Sequence, residues 1–286
     1  MNTSAPLPGP RPAPESRGLL LRLAGPLQSW GERSQFNERD TAPFPTRSGV
    51  IGLLASALGR PRGADIRDLA TLALTVRADR PGVLLRDLHT VGGGLPAAAT
   101  VTTADGKKRS GAAATLLSHR HYLADAAFTA ALTGDPDLLA ACADALAAPR
   151  WPPFLGRRSC PPEGPLLLGL VDDALHHLVH LPLARRRPGD GRGAEVVFHG
   201  DRPLTTLAPP AGGAGRDDGT HPAGQVTDEP DTFHPRHRSY RARSRYQRTL
   251  ALPAEQCAGL GTAYLTALGD YLTHQADRPR PESIHA

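Results

Sequence analysis

The stretch from Phe44 to Gly59, Phe-Pro-Thr-Arg-Ser-Gly-Val-Ile-Gly-Leu-Leu-Ala-Ser-Ala-Leu-Gly, constrains this chain more than any other. Thr46 or Ser48 can cap a helix that begins there, since a side-chain oxygen satisfies N–H groups the first turn leaves unpaired. Val50, Leu53, Leu54, Ala57 and Leu58 recur at helical spacing and make one apolar stripe. Gly59 ends the helix and Pro61 prevents its resumption. The first turn carries Arg47 and no acid, and Gly49 lets a second backbone approach. Free N–H groups, the positive end of a helix dipole and an arginine together form a candidate phosphate site. The same pattern fits an ordinary capped core helix, so the rest of the chain has to decide.

A chain of 286 residues can bury a substantial core as one large or two modest domains, and its 30 glycines and 29 prolines demand extensive loops. The net charge of +5 and the isoelectric point near 9.5 favour a polyanionic partner. Cys142, Cys160 and Cys257 lie far apart with no Cys-x-x-Cys pair, which argues against a disulfide framework and fits a reducing cytoplasm. No apolar run approaches the ~20 residues of a membrane span. Residues 1–17 are Pro-rich, lack the apolar core of a signal peptide, and read as a disordered tail or as a start placed too far upstream.

Leu19 to Leu23 reads as a buried strand, with Leu19, Leu21 and Leu23 on one face and Leu20 and Arg22 on the other. An arginine on that second face points to incomplete cover there. Further strands are expected at 72–76, 83–89, 119–132 and 166–171. A helix is expected from Asp135-Pro136-Asp137, whose stripe is Leu138, Leu139, Cys142, Ala145 and Leu146. Residues 101–109 read as an inserted hairpin with Asp105-Gly106 at its turn. Setting that insert aside, the order is β-α-β-β-α-β, the ferredoxin-like, RRM-like α+β pattern. Residues 209–227 are poor in apolar groups and are expected to form a disordered linker. Residues 228–250 read as a basic strand segment completing the domain, and 251–286 as a C-terminal helix and tail.

Several places along the chain can meet nucleic acid. Trp30 follows a Gly-Pro turn and is either a core lid or a stacking surface for a base. Arg33 and Arg39 continue the same loop towards the helix. Lys107, Lys108 and Arg109 follow the hairpin turn and suit either RNA or a solvated face. Arg157 and Arg158, after Gly156 and before Ser159, suit phosphate contact. Arg236, Arg238, Arg241, Arg243, Arg245 and Arg248, interleaved with Tyr240 and Tyr246 and without an acid, form the strongest local polyanion signal. Alternation would place the arginines at 241, 243 and 245 on one face of a strand. His176, His177 and His180 match no zinc motif, and neither metal nor cofactor is expected.

Ordered motifs join these features: Leu21-Arg22-Leu23-Ala24-Gly25-Pro26-Leu27-Gln28-Ser29-Trp30-Gly31, Pro45-Thr46-Arg47-Ser48-Gly49, Leu88-His89-Thr90-Val91, His121-Tyr122-Leu123-Ala124-Asp125-Ala126-Ala127-Phe128 and Leu155-Gly156-Arg157-Arg158-Ser159-Cys160-Pro161. In their order and spacing the chain resembles the CasD family, the Cas-five-type subunits of the type I-E CRISPR surveillance complex called Cascade, within the RAMP superfamily. The resemblance runs from about Gly18 to Leu170, more weakly over 228–250, and leaves out the N-terminal tail, the linker and the C-terminal extension.

The resemblance implies a ferredoxin-like palm, residues 18–208, with a thumb at 92–117. It implies a cytoplasmic, non-catalytic subunit that holds the 5′ handle of the crRNA, contacts the backbone and large subunits of the complex, and supports target-DNA recognition. The expected RNA-binding residues are Trp30, Arg33, Arg39, Thr46, Arg47, Ser48, His89, Lys107, Lys108, Arg109, Arg157 and Arg158. Phosphate contact is expected of Arg47, Arg157 and Arg158, and base stacking or edge contact of Trp30 and His89. The alternative is a metal-independent endoribonuclease that processes precursor crRNA repeats. It needs a general base, for which His89, His119, His121 and Tyr122 are the candidates.

Overall fold

The computed structural model describes residues 17–32, 37–102, 106–109, 114–189, 191–210, 215 and 217–276. Strand β1, Gly18–Ala24, is followed by the short strands β2, Leu27–Gln28, and β3, Glu38–Arg39, and then by helix α1, Arg47–Ala57. The chain continues through β4, Ala73–Arg80, the hairpin strands β5, Val83–Val91, and β6, Leu116–Ala124, and then β7, Ala127–Thr133. Helix α2, Pro136–Ala147, leads to β8, Leu167–Val171, and α3, Ala174–His180. Strands β9, Ala194–Gly200, β10, Pro222–Thr232, and β11, Ser239–Leu252, precede helix α4, Gly261–Ala276.

Seven strands form one sheet in the order β10-β11-β9-β4-β7-β1-β8, and all of its neighbours are antiparallel. The four strands β8-β1-β7-β4 are joined through α1 and α2. A second sheet contains β2, β6 and β3, with β5 paired to β6. The alternation expected of β1 holds: Leu19, Leu21 and Leu23 enter the core shared with α1 and α2, while Leu20 enters the opposite core with α3 and α4. Burying each such leucine contributes roughly 1.5–3 kcal/mol. The second face is nevertheless covered, contrary to the expectation drawn from Arg22. The Arg22 guanidinium lies 5.5 Å from the centre of the Tyr264 ring on α4 and donates to the Glu163 carbonyl oxygen. An aromatic face and a carbonyl make burial of that charge tolerable.

Helix α2 begins as its sequence requires. The Asp135 carboxylate accepts the Leu138 N–H at 2.8 Å, Pro136 opens the first turn, and Leu139, Cys142 and Leu146 are buried. Such a cap contributes about 1 kcal/mol. All three cysteines are free and buried, and burial pushes the Cys142 thiol up to about 11.

Two expectations are corrected. The run 119–132 is not one strand. Asp125, at φ 54°, turns the chain between β6 and β7, so 116–124 pairs with β5 and only 127–133 enters the main sheet. At the other root of the hairpin Gly82 has φ +77°, and a Cβ there would lie 2.7 Å from the Ala124 carbonyl oxygen. The hairpin therefore leaves the main sheet at residue 82, ten residues before the insert expected at 92–117. Antiparallel pairing resumes further out between Thr102 and Lys108, beside Gly106 at φ +77°. The second correction concerns 209–227, expected as a linker. Residues 222–227 are the first half of β10, paired to β11, and residue 215 bridges to Leu250. Their polarity suits an edge strand with one face in solvent. The segment expected at 228–250 is the rest of this hairpin. Residues 1–16 lie outside the described residues.

Candidate nucleic-acid interface

The N-terminus of α1 is already occupied. Thr46 stands at the cap position without a side-chain bond to the helix. Instead Asp228, from β10, accepts the Arg47 backbone N–H at 2.7 Å. The Arg47 side chain turns inward and is buried. It pairs with Asp201, lies 2.5 Å from Glu229, and donates to the carbonyl oxygens of Leu72 at 2.7 Å and Ala70 at 2.6 Å. Burial pushes the Asp201 carboxyl above its ordinary value, against the pull of Arg47. The phosphate site expected at Arg47 is thus filled by the chain's own carboxylates.

Trp30 is a core residue rather than a stacking surface. It is 0% exposed, its indole N–H donates to Gln28 Oε1 at 2.9 Å, and a Cβ on Gly49 would lie 2.6 Å from its ring. Gln28 in turn donates to the carbonyl oxygens of Leu23 and Ala126. Close helix packing over a flat indole is what the glycine at position 49 permits.

Above this floor opens a polar cleft of about 920 Å³. It is lined by Arg39 of β3, Arg120 of β6 and Arg157 of the loop before β8, together with Arg238 and Tyr240 from β11 and its turn. Thr46, Ser48 and Gly49 of the α1 entry also line it, and among the described residues Glu32 is the one acid of the lining. The Arg157 guanidinium lies 5.1 Å from the centre of the Tyr122 ring and donates to the Arg39 carbonyl oxygen at 2.9 Å. Nη1 of Arg157 and Nε of Arg120 are shielded and have no hydrogen-bond partner among the described residues. Gly156 makes this lining possible. At φ +83° its backbone runs against Ser29, where a Cβ would collide with the carbonyl oxygen. Four arginines with one acid, among the described lining residues, and the Tyr240 ring are chemistry suited to an anion.

The family model described as CRISPR-associated protein (Cas_Cas5) matches residues 18–246, from the first residue of β1 into β11. The chain belongs to the Cas5 family. The CRISPR system Cascade subunit CasD of Escherichia coli (strain K12) is 40% identical over 172 residues, covering 53% of this chain and 70% of CasD. A chain of a solved CRISPR RNA-guided surveillance complex superposes with a TM-score of 0.76 at 42% identity, covering 90% of this chain and 99% of that one. A crystal structure of a Cas protein matches with a TM-score of 0.57 at 33% identity, covering 85% and 98%.

In this Cas5-family chain the cleft gathers Arg39, Thr46, Ser48 and Arg157 from the residues that the sequence singles out, with the buried Trp30 at its floor. His89, Lys107, Lys108, Arg109 and Arg158 are not part of its lining, and Arg33 lies outside the described residues. His89 Nδ1 lies 3.3 Å from Asp87, and Lys108 Nζ donates to the Thr100 carbonyl oxygen at 3.0 Å. Arg120 carried no signal of its own, whereas Arg238 and Tyr240 belong to the basic run already noted. Three further arginines of that run are used internally, while Arg236 and Arg241 are exposed. Arg243 grips Asp228, Arg245 lies over Phe44, and Arg248 donates to the Leu204 carbonyl oxygen.

The four groups considered as a general base do not converge. Directly opposed residues of an antiparallel pair share a face, and successive residues alternate. The pairs His89↔Ser118 and Leu85↔Tyr122 therefore put His89 and Tyr122 on one face of the β5–β6 hairpin. His119 and His121, opposite Leu88 and Arg86, fall on the other. Tyr122 is also buried, beneath Arg157. Elsewhere His176 stacks on His180 with ring centres 4.0 Å apart, and His177 Nδ1 lies 3.0 Å from the Tyr271 hydroxyl. Among the described residues no group of three or more His, Cys, Asp or Glu could hold a metal ion, and no helix is long and apolar enough to cross a membrane.

Proposed function

We propose that this protein is a non-catalytic, cytoplasmic subunit of a type I-E Cascade surveillance complex, and that its arginine-lined cleft holds the 5′ handle of the crRNA. The observation that carries the reading is the convergence of Arg39, Arg120, Arg157 and Arg238, with Tyr240, around one cleft in a chain whose relatives are Cascade and surveillance-complex subunits. Single-stranded RNA is held by phosphate contacts together with unstacked bases placed on aromatic or guanidinium planes. The cleft offers both.

In this reading β8-β1-β7-β4 with α1 and α2 is a ferredoxin-like palm, supported by its strand order, and the β5–β6 hairpin is the thumb. The thumb exposes Leu84, Leu88 and Leu117 on one face, which suits cover by a neighbouring backbone or large subunit. Lys107, Lys108, Arg109 and His89 belong to this thumb and serve assembly on a full guide and contact with target DNA, while Arg158 flanks the cleft.

Purified protein mixed with labelled repeat RNA in EDTA tests both halves of the reading. Binding without cleavage is expected, weakened when Arg120 and Arg157 are replaced by alanine together. A discrete cut that depends on His89 or His119 would overturn the non-catalytic assignment. Failure of any RNA to bind would overturn the cleft.

A further inference from the structure

Asp228 has no role in the function set out above, yet it is among the most completely engaged side chains in the molecule. It is 1% exposed. Oδ2 accepts the Arg47 N–H at 2.7 Å and Arg243 Nη2 at 3.0 Å, while Oδ1 accepts Arg243 Nε at 2.6 Å. One carboxylate therefore ties the first residue of α1 to both strands of the β10–β11 hairpin. Its aim comes from a break in the register: Val226 pairs with Arg243 but Glu229 with Arg241, so Thr227 and Asp228 together face Ala242. Two residues opposite one make a bulge, which bends a strand and redirects its side chains.

The contacts around it repeat the attachment. The Thr227 N–H donates to Glu32 at 3.3 Å, and Glu229 pairs with Arg47. Further along, the Phe233 ring lies over Gly52 of α1 and the His234 ring over Gly63. The chain then turns and brings Arg238 and Tyr240 back along the cleft.

We propose that Asp228 is a positioning residue, a latch that holds the β10–β11 hairpin against α1 and thereby sets Arg238 and Tyr240 into the cleft that Arg39, Arg120 and Arg157 also line. The proposal rests on the reading of the cleft as an RNA site. Asp228→Asn keeps the shape but presents an amide N–H₂ to groups that are all donors, so the latch loses at least one of its three bonds. The hairpin then loosens, and its contribution to the cleft is no longer fixed.

The test uses the full chain and a fluorescein-labelled single-stranded RNA of about eight nucleotides, within the span such grooves take. Asp228→Asn should weaken binding roughly ten-fold, the loss expected of one charge-assisted bond. In an Arg238→Ala, Tyr240→Ala background the same change should cost nothing further, because what the latch positions is gone. A merely structural role would weaken binding equally in both backgrounds, and that result overturns the proposal. So does binding that tightens, which would mean that the vacated α1 N-terminus is itself the phosphate site. Hydrogen exchange at residues 236–240 should quicken in Asp228→Asn without RNA, and exchange that stays unchanged overturns the latch alone. Wild-type protein that ignores RNA overturns the reading of the cleft, and the purpose of the latch with it. If Asp228→Asn does not fold, Arg243→Gln removes the same grip from the other side and must give the same pattern.

Discussion

Arg157 lies across the ring of Tyr122, its guanidinium carbon 5.1 Å from the ring centre, while Nη2 donates to the Arg39 carbonyl oxygen at 2.9 Å and the Asp40 carbonyl oxygen at 3.2 Å. A flat, delocalised cation can stack and donate sideways at once, which an ammonium cannot. Arg157→Ala should weaken RNA binding by ~1–3 kcal/mol and reduce the salt slope by about one charge. Arg157→Lys should restore only part of it. Anisotropy titrations at several salt concentrations check both, and full rescue by lysine would mean that the stacking is irrelevant.

Arg47→Ala should act on stability instead of on RNA. Removing the guanidinium strands the buried Asp201 carboxylate beside Glu229. Breaking a buried ion pair by removing one partner costs about 3–5 kcal/mol. Urea unfolding should show a lower midpoint, while the fraction that remains folded binds RNA as the wild type does. A folded variant of normal stability with impaired binding would return Arg47 to the interface.

Gly156→Ala should disturb the cleft more than its size warrants. The residue sits at φ +83°, and its Cβ would meet the Ser29 carbonyl oxygen. The conformation alone costs an L-residue on the order of 1–3 kcal/mol, and the collision adds to it. The loop 155–160 must move away from Ser29, carrying Arg157 with it. Weaker RNA binding with a thermal midpoint lowered by several degrees is the expected outcome.

His199 should give the protein an acid-sensitive limb. Its ring stacks on Phe44 with centres 4.4 Å apart, and Arg245 Nη1 lies 3.4 Å from Nδ1, so Nδ1 accepts and the ring is neutral. Burial, then Arg245 and Arg243, lower its pKa from 6.5 to about 4. The unfolded chain therefore binds a proton that the folded chain refuses. Stability that is full above pH 6.5 is lost as the pH falls towards 4, by up to about 3 kcal/mol. Asp201, whose pKa moves upward, acts in the opposite sense, so the comparison is between wild type and His199→Gln. The variant should lose less stability between pH 7 and 4.5 in urea titrations, and parallel curves would dismiss the assignment.

What the sequence determined by itself lies within single elements. The two faces of β1, the Asp135 cap and buried stripe of α2, and the α1 stripe that ends at Gly59 all follow from periodicity and capping, which depend on neighbours a few residues away. The basic character of the cleft was legible too, since Arg39, Arg157, Arg238 and Tyr240 stand in segments whose composition marks them. The tertiary structure alone decided which cations face outward. Arg47 looks like a phosphate ligand in sequence because nothing near it there could neutralise it, and its charge partner Asp201 is 154 residues away. Trp30 became a lid because Gly49 of α1 packs onto its ring, and the 119–132 run divided because its first half found β5. A local pattern specifies the geometry of a turn of helix or a strand, whereas the fate of a charge depends on what the fold brings within a few ångströms of it.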